Sequence, residues 1–213
     1  SFLSTAQKRS SVTALADTLG YVPRSATSAN LPGTITVTPT GTPATVSVPY
    51  GTKFKASIDG VSYVFSVSES LVITPTLGVY SLSNVTLKEG TYTSEQYLYD
   101  ASNPEKKIII NNANADTSTL RVRVVNSSTD STVRSFTLAS SIISVDSSSL
   151  VYYIKEIDGG KFELAFGSGS LGQSLDDGNI VYLDYIVTKG AAGNGILNVT
   201  LEDDIVGVSA ATF

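Results

Sequence analysis

The chain has 213 residues, of which 41% are hydrophobic and 15% are charged, and its net charge is −5. This length supports one large or two small hydrophobic cores. The chain is acidic overall and has no stripe of basic residues, with which nucleic-acid-binding proteins displace counterions from phosphate. The sequence contains no His, Cys, Met or Trp, which excludes imidazole bases, thiol nucleophiles, disulfides and metals held by Cys or His.

Because no initiator methionine is present, we expect the chain to be an internal segment of a longer polypeptide. Its apolar runs are all much shorter than the ~20 residues of a membrane-spanning helix, so a membrane partner is not expected. No internal repeat is visible in the sequence.

One helix is predicted near the start of the chain, at residues 5–19. Apolar side chains recur there at the spacing of one helical face, at Val12, Leu15, Ala16 and Leu19. Gly20 suits the left-handed position that follows the last turn, and Pro23 prevents the helix from continuing.

After this helix the hydrophobic period changes to two residues, which predicts β-strands. Asp59-Gly60 predicts a two-residue hairpin between alternating flanks, and Asp158-Gly159-Gly160 predicts a second hairpin. "GNIVYLDYIVT" is typical of a strongly apolar strand, and "LNVTLED" indicates a last one. Turn signals recur about every ten residues, the spacing of a sandwich or small barrel.

The predicted fold is mainly β: an N-terminal helix followed by two antiparallel β-sandwich or barrel-like domains, with room for a few short helices. The helix and its connector occupy residues 1–32, the first β-domain 33–99 and the second 100–213. The boundary between the β-domains falls at the polar stretch "DASNPEKK".

A glycine-rich stretch, "FGSGSLG" at residues 166–172, matches the G-x-G-x-x-G pattern of dinucleotide-binding turns. That chemistry needs a helix after the glycines, whose N-terminus binds the pyrophosphate. The following "QSLDDGN" contains a turn signal at Asp177-Gly178 and leads into a strand. We therefore interpret the stretch as a loop between antiparallel strands and predict no cofactor there.

The remaining reactive groups do not form a recognisable catalytic set. Asp176-Asp177 and Asp203-Asp204 are acidic pairs, but neither has the spacing of a calcium loop, and the aromatic platforms of glycosidases are missing. A Ser-His-Asp triad is impossible without His, and the G-x-S-x-G and S-x-x-K patterns are absent. We predict no catalytic residue, no cofactor, no metal ligand and no enzymatic activity.

Tyrosine is the most frequent aromatic residue, with 11 copies against 7 of Phe. Six of these tyrosines lie in or near predicted strands, where they either pack on the pleated face or form part of an interface. They are Tyr97, Tyr99, Tyr152, Tyr153, Tyr182 and Tyr185.

Two stretches together carry a family resemblance. The first runs from residue 2 to 29 and contains Leu-Gly-Tyr-Val-Pro-Arg at 19–24. The second runs from residue 158 to 195 and combines the glycine loop 166–172, the Asp177-Gly178 turn, and an apolar strand leading into 188–194. This pattern resembles the baseplate J-like family of contractile-tailed phages, and within it the wedge proteins of T-even-type phages. Ser168 departs from the Asp that relatives often carry there.

The resemblance implies a structural virion protein of the tail baseplate, assembled in the bacterial host cytoplasm. It implies other wedge proteins and copies of itself as partners, a homodimer in the assembled baseplate, and transmission of the contraction trigger. It brings no catalytic residues and no nucleic acid or membrane partner. The alternative that the residues leave open is a carbohydrate- or surface-binding β-module of a tail fibre or adhesin, which requires an exposed aromatic platform or groove.

Overall fold

The computed structural model describes residues 24–103, 106–140 and 144–213. Within these ranges the fold is mainly β, as predicted, and the predicted helix at 5–19 lies outside the described residues. The strands are β1 (Asn30–Pro39), β2 (Val46–Val48), β3 (Lys53–Ile58), β4 (Val61–Val67), β5 (Leu71–Ile73), β6 (Tyr80–Glu89), β7 (Thr91–Leu98), β8 (Ile108–Ile110), β9 (Ala115–Val125), β10 (Val133–Leu138), β11 (Val151–Ile157), β12 (Lys161–Phe166), β13 (Ile180–Val187), β14 (Thr200–Leu201) and β15 (Val208–Thr212), and η1 (Gly190–Gly193) is a short 3-10 helix.

The chain divides into two compact units. The barrel unit consists of Ala26–Thr93, Asn114–Thr119 and Ile186–Phe213, and the sheet unit includes Ser94–Ala113 and Leu120–Tyr185. This division differs from the sequential boundaries 33–99 and 100–213, because the C-terminal strands β14 and β15 pair with β3 and β1 of the barrel.

The barrel unit contains a closed barrel with the strand order β1-β15-β14-β3-β4-β6, in which β6 pairs with β1 to close the ring. Alternation explains its core: Ile35 and Val37 point inward from β1, as do Phe54 from β3 and Leu87 from β6. The predicted hairpin is confirmed, since β3 and β4 pair up to Ile58↔Val61 around Asp59-Gly60.

A second, two-stranded sheet of β2 and β5 also belongs to the barrel unit. Its strands are three residues long and alternate buried, exposed, buried. The buried residues join the same hydrophobic core as the barrel, and they are Val46, Val48, Leu71 and Ile73.

The sheet unit is built on a seven-stranded sheet with the order β7-β13-β9-β10-β11-β12-β8. The predicted hairpin at Asp158-Gly159-Gly160 is confirmed, because β11 and β12 pair from Tyr152↔Phe166 to Ile157↔Lys161. β10 and β11 pair in parallel, so the sheet is mixed and the expectation of a purely antiparallel second domain is wrong at this pair.

Two connections differ from the sequence-based expectation. The glycine loop joins β12 to β13, but β9, β10 and β11 lie between these strands in the sheet, so it is not a link between neighbouring antiparallel strands. β15 was not predicted, because its sequence VSAAT offers small side chains with weak alternation. No helix in the described part of the chain is long and apolar enough to cross a membrane.

Candidate functional site

The glycine loop that follows β12 is closed on itself by its own backbone. The Gly169 amide donates to the Gly172 carbonyl at 3.1 Å, and the Gly172 amide donates to the Asp146 carbonyl at 2.9 Å. A Cβ placed on Gly167 would lie 2.1 Å from the Gly172 backbone, so only glycine fits there. These two amides are already paired within the protein, and the residues that follow form a turn and a strand, so the arrangement does not resemble a phosphate cradle.

Asn179, a few residues after the glycine loop 166–172, forms side-chain hydrogen bonds to several parts of the sheet unit. Its side chain is 3% exposed. The amide oxygen accepts from Arg134 Nη2 at 2.9 Å and from the Asp176 amide at 3.0 Å, while Nδ2 donates to the Asn126 carbonyl at 2.9 Å. Asn179 therefore fixes the positions of the β9–β10 turn, strand β10 and the Asp177-Gly178 turn relative to one another.

In the barrel unit, a buried acidic residue occupies an inward position of β6. Glu89 is 1% exposed, and its Oε2 accepts from the Thr188 hydroxyl at 2.5 Å and from the Lys189 amide at 2.9 Å. Thr188 Oγ1 in turn accepts from the Gly190 amide at 2.8 Å. A Cβ on Gly193 would lie 2.7 Å from Glu89 Cγ, so the segment 188–193 folds as a close-fitting cradle around this side chain, which we call the Glu89 cradle.

A second buried carboxyl group anchors the start of β9 in the barrel unit. Asp116 is 1% exposed, and it accepts from the Ser28 amide at 2.9 Å and from the Ser118 hydroxyl at 2.6 Å. Burial alone raises the pKa of Asp116, but these hydrogen bonds favour the ionised form and outweigh it, so the net pKa is lowered. Thr119 extends the network, since its Oγ1 accepts from the Ile186 amide at 2.9 Å.

The sheet unit has its own polar network along β7 and β13. Glu95 accepts from the hydroxyls of both Tyr97 and Tyr185, and burial together with these bonds raises the pKa of each phenol. Asp184, which is 2% exposed, accepts from Arg123 Nε at 2.7 Å and from Ser94 Oγ at 2.7 Å. Glu95 is thus satisfied by hydrogen bonds and Asp184 by an ion pair and a hydrogen bond, which is typical of structural networks.

The other four tyrosines singled out from the sequence fall into two groups according to their burial. Tyr152 and Tyr153 are buried, and burial raises the pKa of Tyr152 to about 12. Tyr99 and Tyr182 are half-buried. In the described ranges every aromatic side chain is at least partly buried, so these ranges offer no exposed aromatic platform of the kind a carbohydrate-binding module needs.

The acidic pairs singled out from the sequence are not brought together into a site. Asp177 accepts from the Ala101 amide at 2.9 Å in an exposed turn. Asp203 accepts from the Lys53 amide at 2.8 Å and pairs with the Lys53 ammonium group at 3.2 Å, while Asp204 is exposed. Across 24–103, 106–140 and 144–213 no group of three or more acidic side chains has a metal-binding arrangement.

Comparison with known proteins shows what this chain is similar to. Residues 92–196 match the family model for the bacteriophage baseplate wedge protein gp6, third domain. The chain is also 25% identical, over 227 aligned residues, to baseplate wedge protein gp6 of Enterobacteria phage T4. The chain is gp6-like. The match covers 98% of this chain, which spans about a third of the relative, 33% of its length.

The predicted resemblance to baseplate wedge proteins is thereby confirmed. In this gp6-like chain the matched segment 92–196 contains the glycine loop, Asn179 and residues 188–193 of the Glu89 cradle, whereas Glu89 itself lies before the match. Within the described part of the stretch 158–195, the residues that carried the resemblance in the sequence are therefore residues whose backbone and side chains stabilise the fold.

Sequence reasoning missed the buried acidic residues on which the gp6-like fold depends. One signal was available for Glu89: it continues the inward alternation Val85, Leu87, Glu89 at the end of β6, and a charged residue in that phase needs a partner. Asp184 likewise interrupts the apolar run of β13. No comparable signal marks Asn179, since its partners come from distant parts of the sequence.

Proposed function

We propose that this chain is a structural segment of a contractile phage tail baseplate, a wedge subunit segment that mediates protein–protein assembly of the baseplate ring and transmits the contraction trigger. The observation that carries the proposal is the match to the T4 baseplate wedge protein over 98% of the chain. The proposed partners are other wedge proteins and copies of this chain, with a homodimer in the assembled baseplate. The proposed location is the virion tail, after assembly in the host cytoplasm.

The geometry supports a mechanical role. A segment that transmits force needs rigid loops, and two parts of the stretch 158–195 form hydrogen bonds to distant parts of the chain. Glu89 is bound by residues 99 and 100 positions away, and Asn179 accepts from Arg134 across 45 residues. Packed, fully bonded elements move as units under strain.

The proposal assigns no chemistry to the chain. The carboxyl groups that are buried in the described residues form hydrogen bonds or ion pairs with Thr188, Ser118, Arg123 and the lysines that contact Glu163. The proposal therefore includes no enzymatic activity, no cofactor and no nucleic acid or membrane partner. Affinity for neighbours comes from shared surface, as in other large assemblies.

Cryo-electron microscopy of the intact virion, with and without a Fab raised against this chain, tests the proposal. We expect the additional Fab density on the baseplate ring, repeated around the tail axis. Fab density on the capsid or at the tip of a tail fibre would refute the wedge assignment. A second imaging experiment on contracted particles should show the Fab displaced relative to the tail tube, because a segment that transmits the trigger moves with the ring.

A further inference from the structure

Lysine side chains gather at the β8 end of the seven-stranded sheet, around the buried Glu163. In the register of the sheet, Glu163 of β12 lies between Lys155 of β11 and Ile109 of β8. The Lys107 and Lys155 ammonium groups lie 2.9 and 3.4 Å from Glu163 Oε2. The two lysine side chains are 54% and 37% exposed, against 10% for Glu163, so solvent meets the two positive charges rather than the carboxylate that they share.

Two further lysines lie beside this group. Lys161 comes two residues before Glu163 in β12, and alternation along the strand places both side chains on the same face of the sheet. Lys106 directly precedes Lys107 and is exposed. Among the described residues neither Lys106 nor Lys161 has a partner in an ion pair. We call Lys106, Lys107, Lys155 and Lys161 the lysine cluster.

This concentration of positive charge is unexpected in an acidic chain. The chain has 19 acidic residues and 14 basic ones, so every lysine could have a carboxylate partner. Within 24–103, 106–140 and 144–213, however, the lysine cluster forms ion pairs with Glu163 alone. Asp100 is near enough to Lys106 for the ammonium group to contribute to its lowered pKa, after the hydrogen bonds from Ser102. Most of the positive charge of the cluster is therefore uncompensated.

A cavity adjoins the lysine cluster within the sheet unit. It measures about 250 Å³, with the solvent at its mouth included, and it lies between the end of β7 and the start of β8. Its charged wall residues are Lys106, Lys107 and Asp100, and Tyr97 and Asn103 are among the polar ones. A carboxylate that enters the cavity therefore meets a wall of net positive charge.

We propose that the lysine cluster is a docking site for an acidic segment of another baseplate protein, one of whose carboxylates enters the adjoining cavity. On a chain of net charge −5, a local excess of cations attracts an acidic partner to one place while the rest of the chain repels it. Nucleic acid fits less well, because four lysines without arginine or a continuous basic stripe are few contacts for a phosphate backbone. The inference rests on the proposed function, in which other wedge proteins are neighbours of this chain.

Zero-length cross-linking of intact virions with a carbodiimide tests the docking site, because this reagent joins lysines to carboxylates with which they are in contact. Mass spectrometry should find the lysine cluster joined to Asp or Glu residues of a different tail protein. The Lys53–Asp203 pair, whose charged atoms are 3.2 Å apart, provides the internal standard. The proposal is overturned if this standard is found while the lysine cluster is joined only to Glu163, to other copies of this chain or to nothing.

Charge reversal tests the same site on the purified proteins. Lys106→Glu combined with Lys161→Glu leaves the two lysines that pair with Glu163 in place, and we expect the dissociation constant for the cross-linked tail protein to rise about tenfold or more. The matched control is Lys55→Glu on β3, an exposed lysine that has no ion pair in the described part of the chain, and it should leave the dissociation constant unchanged. Calorimetry measures all three chains.

An unchanged dissociation constant in the double variant would overturn the docking site. So would binding of the unmodified chain to a DNA duplex that the same two substitutions abolish, since the cluster would then serve nucleic acid. Neither result moves the Fab density on the virion. Fab density on the baseplate ring together with cross-links confined to this chain would refute the docking site alone, whereas density on the capsid or a fibre would refute the baseplate assignment.

Discussion

Thr188 donates a hydrogen bond of 2.5 Å to Glu89 across 99 residues of sequence. The hydroxyl also accepts from the Gly190 amide, so one side chain satisfies both a buried carboxyl oxygen and a backbone donor. This relationship links β6 to the segment that follows β13 within the barrel unit.

Thr188→Val should destabilise the protein by about 1–3 kcal/mol, because the shape of the side chain is kept while the buried carboxyl oxygen and the Gly190 amide each lose a partner. Thr188→Ser keeps the hydroxyl and should stay close to the unmodified chain. Urea unfolding followed by circular dichroism measures both variants. If Thr188→Val and Thr188→Ser had equal stability, the hydrogen bond would contribute little.

Local sequence patterns predict part of this fold, and the rest depends on contacts between residues that are distant in the sequence. Asp59-Gly60 and Asp158-Gly159-Gly160 specify their hairpins because the turn chemistry lies within a few residues. The alternation of apolar and polar residues is also a local pattern, and it predicts that Ile35 and Val37 point into the core. Barrel closure by β15 and the parallel pairing of β10 with β11 depend on contacts between distant segments, for which VSAAT gives no local signal.

The candidate site could likewise be predicted only in part from the sequence. The glycine loop and the Asp177-Gly178 turn were recognisable as the parts of the chain that identify the family. Their structural role was not, because it depends on Asn179 meeting Arg134 and Asn126, and on Thr188 meeting Glu89. Sequence spacing contains no information about such pairs when a single sequence is read.

Asn179→Ala should destabilise the sheet unit by about 2–3 kcal/mol, since three hydrogen-bonding groups around a buried side chain lose their partner at once. The matched variant is Asn126→Ala, whose side chain donates to the exposed Asp130, and it should change the free energy of unfolding by less than about 0.5 kcal/mol. Both are measured by chemical unfolding. Equal losses in the two variants would contradict the tethering role of Asn179.

Gly90→Ala tests a close backbone approach next to Glu89. The residue has a φ of 129°, and a Cβ there would lie 2.4 Å from the Val187 carbonyl oxygen. We expect a loss above about 4 kcal/mol or failure to fold, because neither the conformation nor the space admits a side chain. Gly41→Ala also has a positive φ but meets nothing within 4 Å, so its cost should be limited to about 1–2 kcal/mol of backbone strain.

Asp116 makes stability depend on pH in the acid range. Because its pKa is lower in the folded chain than in the unfolded one, its contribution is fully present above the unfolded value of about 3.9. That contribution is lost as the pH falls through the folded pKa, because the folded state must then take up the proton it resists.

Asp116→Asn should therefore destabilise the chain at pH 7 by about 1–3 kcal/mol, and the difference from the unmodified chain should shrink at pH 3 and below. Ser118→Ala removes one donor to Asp116 and should reduce the pH dependence without abolishing it. Urea unfolding at pH 7, 4 and 3 gives the three profiles. A pH dependence for Asp116→Asn as steep as that of the unmodified chain would show that other carboxyl groups dominate acid unfolding, since the amide cannot titrate.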